Sequence, residues 1–181
     1  KECAGNRNVI HFGQDGGKQH DGTLYLIHNT IVTRFVSPGV HLWDGKARVR
    51  LYNNIMWDEA AGQKSQKIVT APANTGGIGM VSGVANWISQ GFAGSAAELK
   101  ELQQTFVADR SASSPFAAPE KGDFRPTGRM PGITDSGFIL PHDMQRIIGT
   151  TLFQYKGAYN MEKRPSDGKP DLGAYEFLAN H

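Results

Sequence analysis

Apolar and polar residues alternate along two stretches of the chain that match each other without gaps. Leu24-Tyr25-Leu26-Ile27-His28-Asn29-Thr30-Ile31-Val32 falls on Val49-Arg50-Leu51-Tyr52-Asn53-Asn54-Ile55-Met56-Trp57, an offset of 25 residues. Period-two alternation is that of β-strands, with one set of side chains facing inward and the other outward. A weaker third copy, Val84-Ala85-Asn86-Trp87-Ile88, brings Asn86 onto Asn54 at a spacing of 32, with part of the polar stretch from Gly62 to Gly76 looped out. Between the copies, Thr30 to Val36 is rich in β-formers, Ser37-Pro38-Gly39 reads as a turn, Val40 to Trp43 as a further strand and Asp44-Gly45 as a turn. This pattern fits one coil of a parallel β-solenoid, in which Leu24 stacks on Val49 and Leu26 on Leu51 at about 4.8 Å. It also fits an ordinary antiparallel sheet with Asn-rich turns. In a solenoid the recurring Asn sits at a corner, bonds the backbone there, stacks on the Asn of the next coil and tolerates a left-handed turn conformation.

The second half reads differently. Ser95-Ala96-Ala97-Glu98 has capping-box spacing, and Leu99, Leu102 and Phe106 follow at helical intervals, predicting a short helix. Beyond it Pro115, Pro119, Pro126, Pro131 and Pro141 mark irregular chain draped over the strands. The division is therefore coils over 1–93 and a closing extension over 94–181 that is not an independent domain. The 22 Gly among 181 residues mark corners and this extension, since no G-X-Y period accompanies them. Lys plus Arg 19 against Asp plus Glu 17 is too balanced to argue nucleic-acid binding, and no apolar run is long enough to span a membrane as a helix. Cys3 is the single cysteine, so neither an internal disulfide nor a thiolate cluster is available.

The paired segments His28-Asn29-Thr30-Ile31-Val32 and Asn53-Asn54-Ile55-Met56 resemble coils of right-handed parallel β-helix proteins of the pectate-lyase-like superfamily. The C-terminal half carries the resemblance further: Gly122-Asp123-Phe124-Arg125, the element Met130 to Gly137 ending Asp135-Ser136-Gly137, Arg164, and Pro170-Asp171-Leu172-Gly173-Ala174-Tyr175-Glu176-Phe177 are similar to the closing segment of secreted bacterial members. The resemblance implies an all-β fold, a right-handed parallel β-helix of three to four coils with an irregular C-terminal extension containing a short helix. It implies a secreted, periplasmic or cell-surface location and an acidic polysaccharide as partner. Members usually carry more coils before these, so missing N-terminal coils or a covering chain are expected at that end.

The activity the resemblance implies most directly is that of a polysaccharide lyase, rather than a glycoside hydrolase, cleaving a uronic-acid glycan by β-elimination, with its main catalytic residues partly outside this chain. The alternative is a non-catalytic module that binds glycan or serves as scaffold. Elimination needs a cation against the uronate carboxylate, from Arg, Lys or bound calcium, and a base. Tyr25 and Arg50 occupy equivalent outward positions and would suit an acidic sugar, or would form a plain cation–π pair. The loop Asp15-Gly16-Gly17-Lys18-Gln19-His20-Asp21-Gly22 concentrates charge. Arg50, His20 and Lys18 are the catalytic candidates, Tyr25 and Arg50 the substrate-binding ones, and Asp15 and Asp21 the candidate calcium ligands. The loop also reads as turn chemistry, and its spacing is not that of an EF-hand. His28, His41 and His142 have no partner at metal-ligand spacing in the sequence and are read as corner or surface residues. Trp43, Trp57 and Trp87 would stack sugars if exposed.

Overall fold

The computed structural model describes residues 9–13, 21–33, 39–43, 46–59, 67–71, 80–92, 96–109, 111–149, 151–157 and 160–178. Strand β1 (Ile10–Phe12) is followed by β2 (Thr23–Ile27), β3 (Thr30–Thr33) and β4 (Val40–Leu42), then by β5 (Arg48–Tyr52), β6 (Ile55–Asp58) and β7 (Val69–Thr70). Next come β8 (Val81–Val84) and β9 (Trp87–Ser89), a five-residue helix α1 (Ala96–Lys100), and β10 (Leu102–Gln103) with β11 (Phe106–Ala108). These strands form three parallel sheets: β1-β4-β7, β2-β5-β8-β10 and β3-β6-β9-β11. The protein is mostly β, and the chain visits the second, third and first sheets in turn.

The register expected from the alternation is present residue for residue. Leu24 lies opposite Val49, Tyr25 opposite Arg50 and Leu26 opposite Leu51 in parallel strands, which excludes the antiparallel alternative for these runs. The third copy also falls as expected, with Tyr52 opposite Val84 and Ile55 opposite Trp87. The inward residues Leu26, Ile31, Val40, Leu42, Val49, Leu51, Met56, Val69, Val81, Ile88 and Leu102 form one buried core enclosed by the three sheets. Burial of each such side chain contributes about 1.5–3 kcal/mol, which is what holds parallel strands that local contacts alone would not.

Each passage from the second to the third sheet takes two residues, at 28–29, 53–54, 85–86 and 104–105. The first residue of each pair is left-handed: His28 at φ 55°, Asn53 at 57°, Ala85 at 55° and Gln104 at 48°. This corrects the expectation that the recurring Asn itself takes that conformation. The left-handed residue makes the bend, and its N–H still donates to the next layer, as His28 to Tyr52 (3.0 Å), Asn53 to Val84 (3.2 Å) and Ala85 to Gln103 (2.9 Å). Asn29, Asn54 and Asn86 follow it and form a ladder. The Asn54 amide oxygen accepts from the Asn29 backbone N–H (2.9 Å), and the Asn86 oxygen accepts from the Asn54 backbone N–H (3.1 Å) and side-chain Nδ2 (3.0 Å). Asn54 Nδ2 also donates to the Leu26 carbonyl at 2.9 Å, and Asn86 Nδ2 to that of Leu51 at 3.0 Å. The ladder thereby gives partners to the backbone N–H groups of Asn29 and Asn54 and to the carbonyls of Leu26 and Leu51 in a dry interior.

The helical spacing of Leu99, Leu102 and Phe106 is overturned beyond Lys100. Leu102 and Phe106 lie in β10 and β11, paired with Gly83 and Trp87 of the preceding layer. The open edges of β8 and β9 supply backbone partners that a longer helix would forgo, and Leu102 is buried over the core as a result. Gly83 is required in this stack because a Cβ there would collide with the Leu51 carbonyl oxygen. The turns at Ser37-Pro38 and Asp44-Gly45, most of the stretch from Gly62 to Gly76, and Ser95 lie outside the described residues.

The remaining chain carries an antiparallel pair, β12 (Phe116–Ala118) with β13 (Asp123–Pro126), the helix α2 (His142–Ile148), and the hairpin β14 (Phe153–Gly157) with β15 (Asn160–Lys163). It covers the outward face of the third sheet, where Ile55, Trp57, Trp87, Phe116, Ile133 and Leu172 form a second core. Trp57, Trp87 and Phe106 stack there in sequence, with ring centroids 5.6 Å and 6.4 Å apart. Trp57 and Trp87 are thus packing residues, unavailable to a sugar.

Candidate functional site

With the third sheet covered, the outward faces of the other two carry the exposed chemistry. On the second sheet the outward rows are Thr23 with Arg48, then Tyr25 with Arg50 and Ser82, then Ile27 with Tyr52, Val84 and Gln103. Two guanidinium groups and two phenol rings share this face, with no carboxylate in any of the paired positions. Tyr25 is 46% exposed, and Arg50 is partly buried with its Nη1 donating to the Val49 carbonyl at 3.3 Å. Tyr52 is met from outside by Phe138, stacked at 6.3 Å. The structure therefore brings Tyr25 and Arg50 together as adjacent outward residues. Asp21 is exposed just before β2; Asp15, Lys18 and His20 lie outside the described residues.

The first sheet carries a second group that the sequence reading missed. His11 and His41 are opposite each other on β1 and β4, with ring centroids 5.3 Å apart. Trp43 lies 5.7 Å from the His11 ring and 6.0 Å from that of His41, and is 43% exposed. His41 Nδ1 is 2.9 Å from Thr70 Oγ1, and burial together with the neighbouring His11 lowers the His41 pKa from its ordinary value. Spacing rules for metal or catalytic motifs do not reach across 30 residues. The layer repeat does: the same logic that pairs Leu24 with Val49 pairs His11 with His41 once the loop is lengthened.

The closing motif proves to be a clamp on the corner of the sheets. Arg164 is buried and donates from Nε to Glu176 (2.7 Å), from Nη1 to the Gly173 carbonyl (2.7 Å) and from Nη2 to those of Asp171 (3.0 Å) and Tyr175 (3.1 Å). Asp171 accepts from the backbone N–H groups of Asp135 (2.7 Å) and Phe177 (2.6 Å). Burial raises the pKa values of both Asp171 and Glu176, against the pull of Arg164. The motif then reaches the sheets: Gly173 N–H donates to the Asn53 carbonyl at 2.7 Å and Ala174 N–H to Thr30 Oγ1 at 3.0 Å. Gly173 is left-handed, at φ 80°, and a Cβ there would lie 2.7 Å from Ile55 Cδ1. The motif's residues thus have structural duties throughout.

A cleft of about 450 Å3 opens beside this clamp, lined by His28, Leu140, Ile148, Lys163, Arg164 and Glu176 among others. Of its polar lining, Arg164 and Glu176 are already engaged in the network just described. His28 is the exception in character. Asn53 Nδ2 donates to its Nε2 at 3.0 Å and also to the Phe138 carbonyl, so the neutral ring carries its proton on Nδ1, an atom sealed from solvent. Burial first, then the Arg164 charge, lowers the His28 pKa to about 3, although the carbonyls of Asp171 and Gly173 favour a proton there. An unfolded His titrates near 6.5, so the unfolded chain binds the extra proton first, and stability falls as pH drops from about 6.5 toward 3. Replacing His28 by Asn, which suits the left-handed corner, is expected to remove up to about 1.4 kcal/mol per pH unit from the acid slope. Urea unfolding of both proteins across that range measures the difference, in which the opposing contributions of Asp171 and Glu176 largely cancel.

No family model matches the chain, and neither a curated protein nor a solved structure matches it.

Proposed function

We propose that this chain is part of a right-handed parallel β-helix whose second sheet binds an acidic polysaccharide outside the cell. The observation that supports this reading is the outward face on which Tyr25, Arg50, Arg48 and Tyr52 occupy neighbouring layers with no carboxylate among the paired positions. Parallel strands repeat at about 4.8 Å, close to the length of one sugar unit, so a polymer lying across the layers meets an equivalent position at each step. A guanidinium takes a uronate carboxylate in a charge-assisted pair, and a phenol face stacks on the sugar's C–H groups. The second reading, β-elimination of that polymer, is favoured by the Tyr25–Arg50 adjacency, which sets a cation for the uronate carboxylate beside a sugar-stacking ring, the proton-abstracting base coming from a residue outside this pair.

Calorimetric titration with polygalacturonate and with alginate tests binding, and ultraviolet absorbance of unsaturated product tests elimination. Arg50→Ala is expected to weaken binding by about tenfold, the loss of roughly 1.4 kcal/mol, with Tyr25→Ala in the same direction. If both variants bind as the parent does, the second sheet is not the binding face.

A further inference from the structure

We propose that His11 and His41 form a two-imidazole site for a divalent transition-metal ion, with Thr70 as its positioning residue. The two histidines are directly opposite on adjacent parallel strands, on the outward face of the first sheet, so the backbone fixes their separation. A metal at about 2.05 Å from an imidazole nitrogen lies about 3.2 Å from the ring centre, so two such ligands at the tetrahedral angle have centroids about 5.2 Å apart. The observed separation is 5.3 Å. Thr70, in the third strand of the same row, holds His41 Nδ1 at 2.9 Å. When that nitrogen donates to the hydroxyl, the lone pair of Nε2 is left for the metal, the arrangement by which a second hydrogen bond orients a ligating histidine.

The ligand chemistry sets the class of ion. Imidazole nitrogens select zinc, copper or nickel, whereas calcium takes oxygen ligands. Among the described residues no group of three or more His, Cys, Asp and Glu side chains could hold a metal, so the described part of the site is the imidazole pair alone. The site stands independently of what the second sheet binds.

Trp43 supplies the readout, since its indole lies within 6.0 Å of both rings. Copper(II) titrated into the protein is expected to quench tryptophan fluorescence saturably at one ion per chain, and zinc in large excess to relieve the quenching by competing for the site, while calcium has no effect. His11→Ala and His41→Ala should each abolish the saturable phase, and Thr70→Val should weaken zinc affinity by about tenfold without moving the thermal midpoint. His142→Ala, an exposed histidine elsewhere on the chain, should titrate as the parent does. Circular dichroism melts establish that the variants are folded. Quenching that survives in folded His11→Ala or His41→Ala, or no one-to-one zinc uptake by the parent at micromolar concentration, would overturn the assignment.

Discussion

Arg164→Met is expected to lower the free energy of unfolding by about 3–5 kcal/mol, the cost of stranding one member of a buried ion pair. Arg164 and Glu176 have side chains only 3% and 2% exposed, and their contact is 2.7 Å. Removing the guanidinium leaves the Glu176 carboxylate without its cation and withdraws the donor from the carbonyls of Gly173, Asp171 and Tyr175. The compact ammonium of Lys cannot spread across the four acceptors that the planar fork reaches, so Arg164→Lys recovers little. Arg164→Met combined with Glu176→Leu removes both charges and should recover part of the loss. Urea denaturation of the three variants measures this; a loss under about 1 kcal/mol for Arg164→Met would mean that the closing motif is not what fastens the extension to the sheets.

Asn54→Ala is the other large effect, expected at about 2–4 kcal/mol. Its amide is fully buried and engages Asn29, Asn86 and the Leu26 carbonyl at once. Truncation leaves the Asn29 N–H and the Leu26 carbonyl without those partners, each costing about 1–3 kcal/mol in the absence of water. Asn54→Asp keeps an acceptor but loses the donor and buries a charge, so it should destabilise as well. The effect is graded along the ladder: Asn29 is only partly buried, and Asn29→Ala should cost clearly less than Asn54→Ala, as measured by the same denaturant titrations. Equal costs at both positions would argue against the ladder as a cooperative unit.

These contacts also show what could be read from the chain in advance. The strand register was legible because inward Leu24, Leu26, Val49 and Leu51 repeat a period-two pattern at constant offset, and a shift of one residue would turn them all to solvent. The Asn ladder was legible for the same reason. The conformation of the corner was not, because the bend falls on His28, Asn53, Ala85 and Gln104, whose side chains share no chemistry that marks a left-handed residue. The helix beyond Lys100 failed through tertiary competition, since Leu102 and Phe106 satisfy a helical and a strand pattern alike and the open edges of β8 and β9 decide between them. Of the candidate site, Tyr25 and Arg50 followed from the register. The His11–His41 pair did not, because its offset of 30 residues differs from the 25 that reveals the repeat.

The reading of the second sheet as a surface for acidic glycan is tested most directly by titrating the protein with one polyuronate in two forms, native and carboxyl-reduced. Charge-assisted pairing with Arg48 and Arg50 predicts binding to the native polymer that weakens with added salt, and at least a tenfold lower affinity for the reduced polymer. Equal affinity for the two forms, or binding to neither, would contradict it.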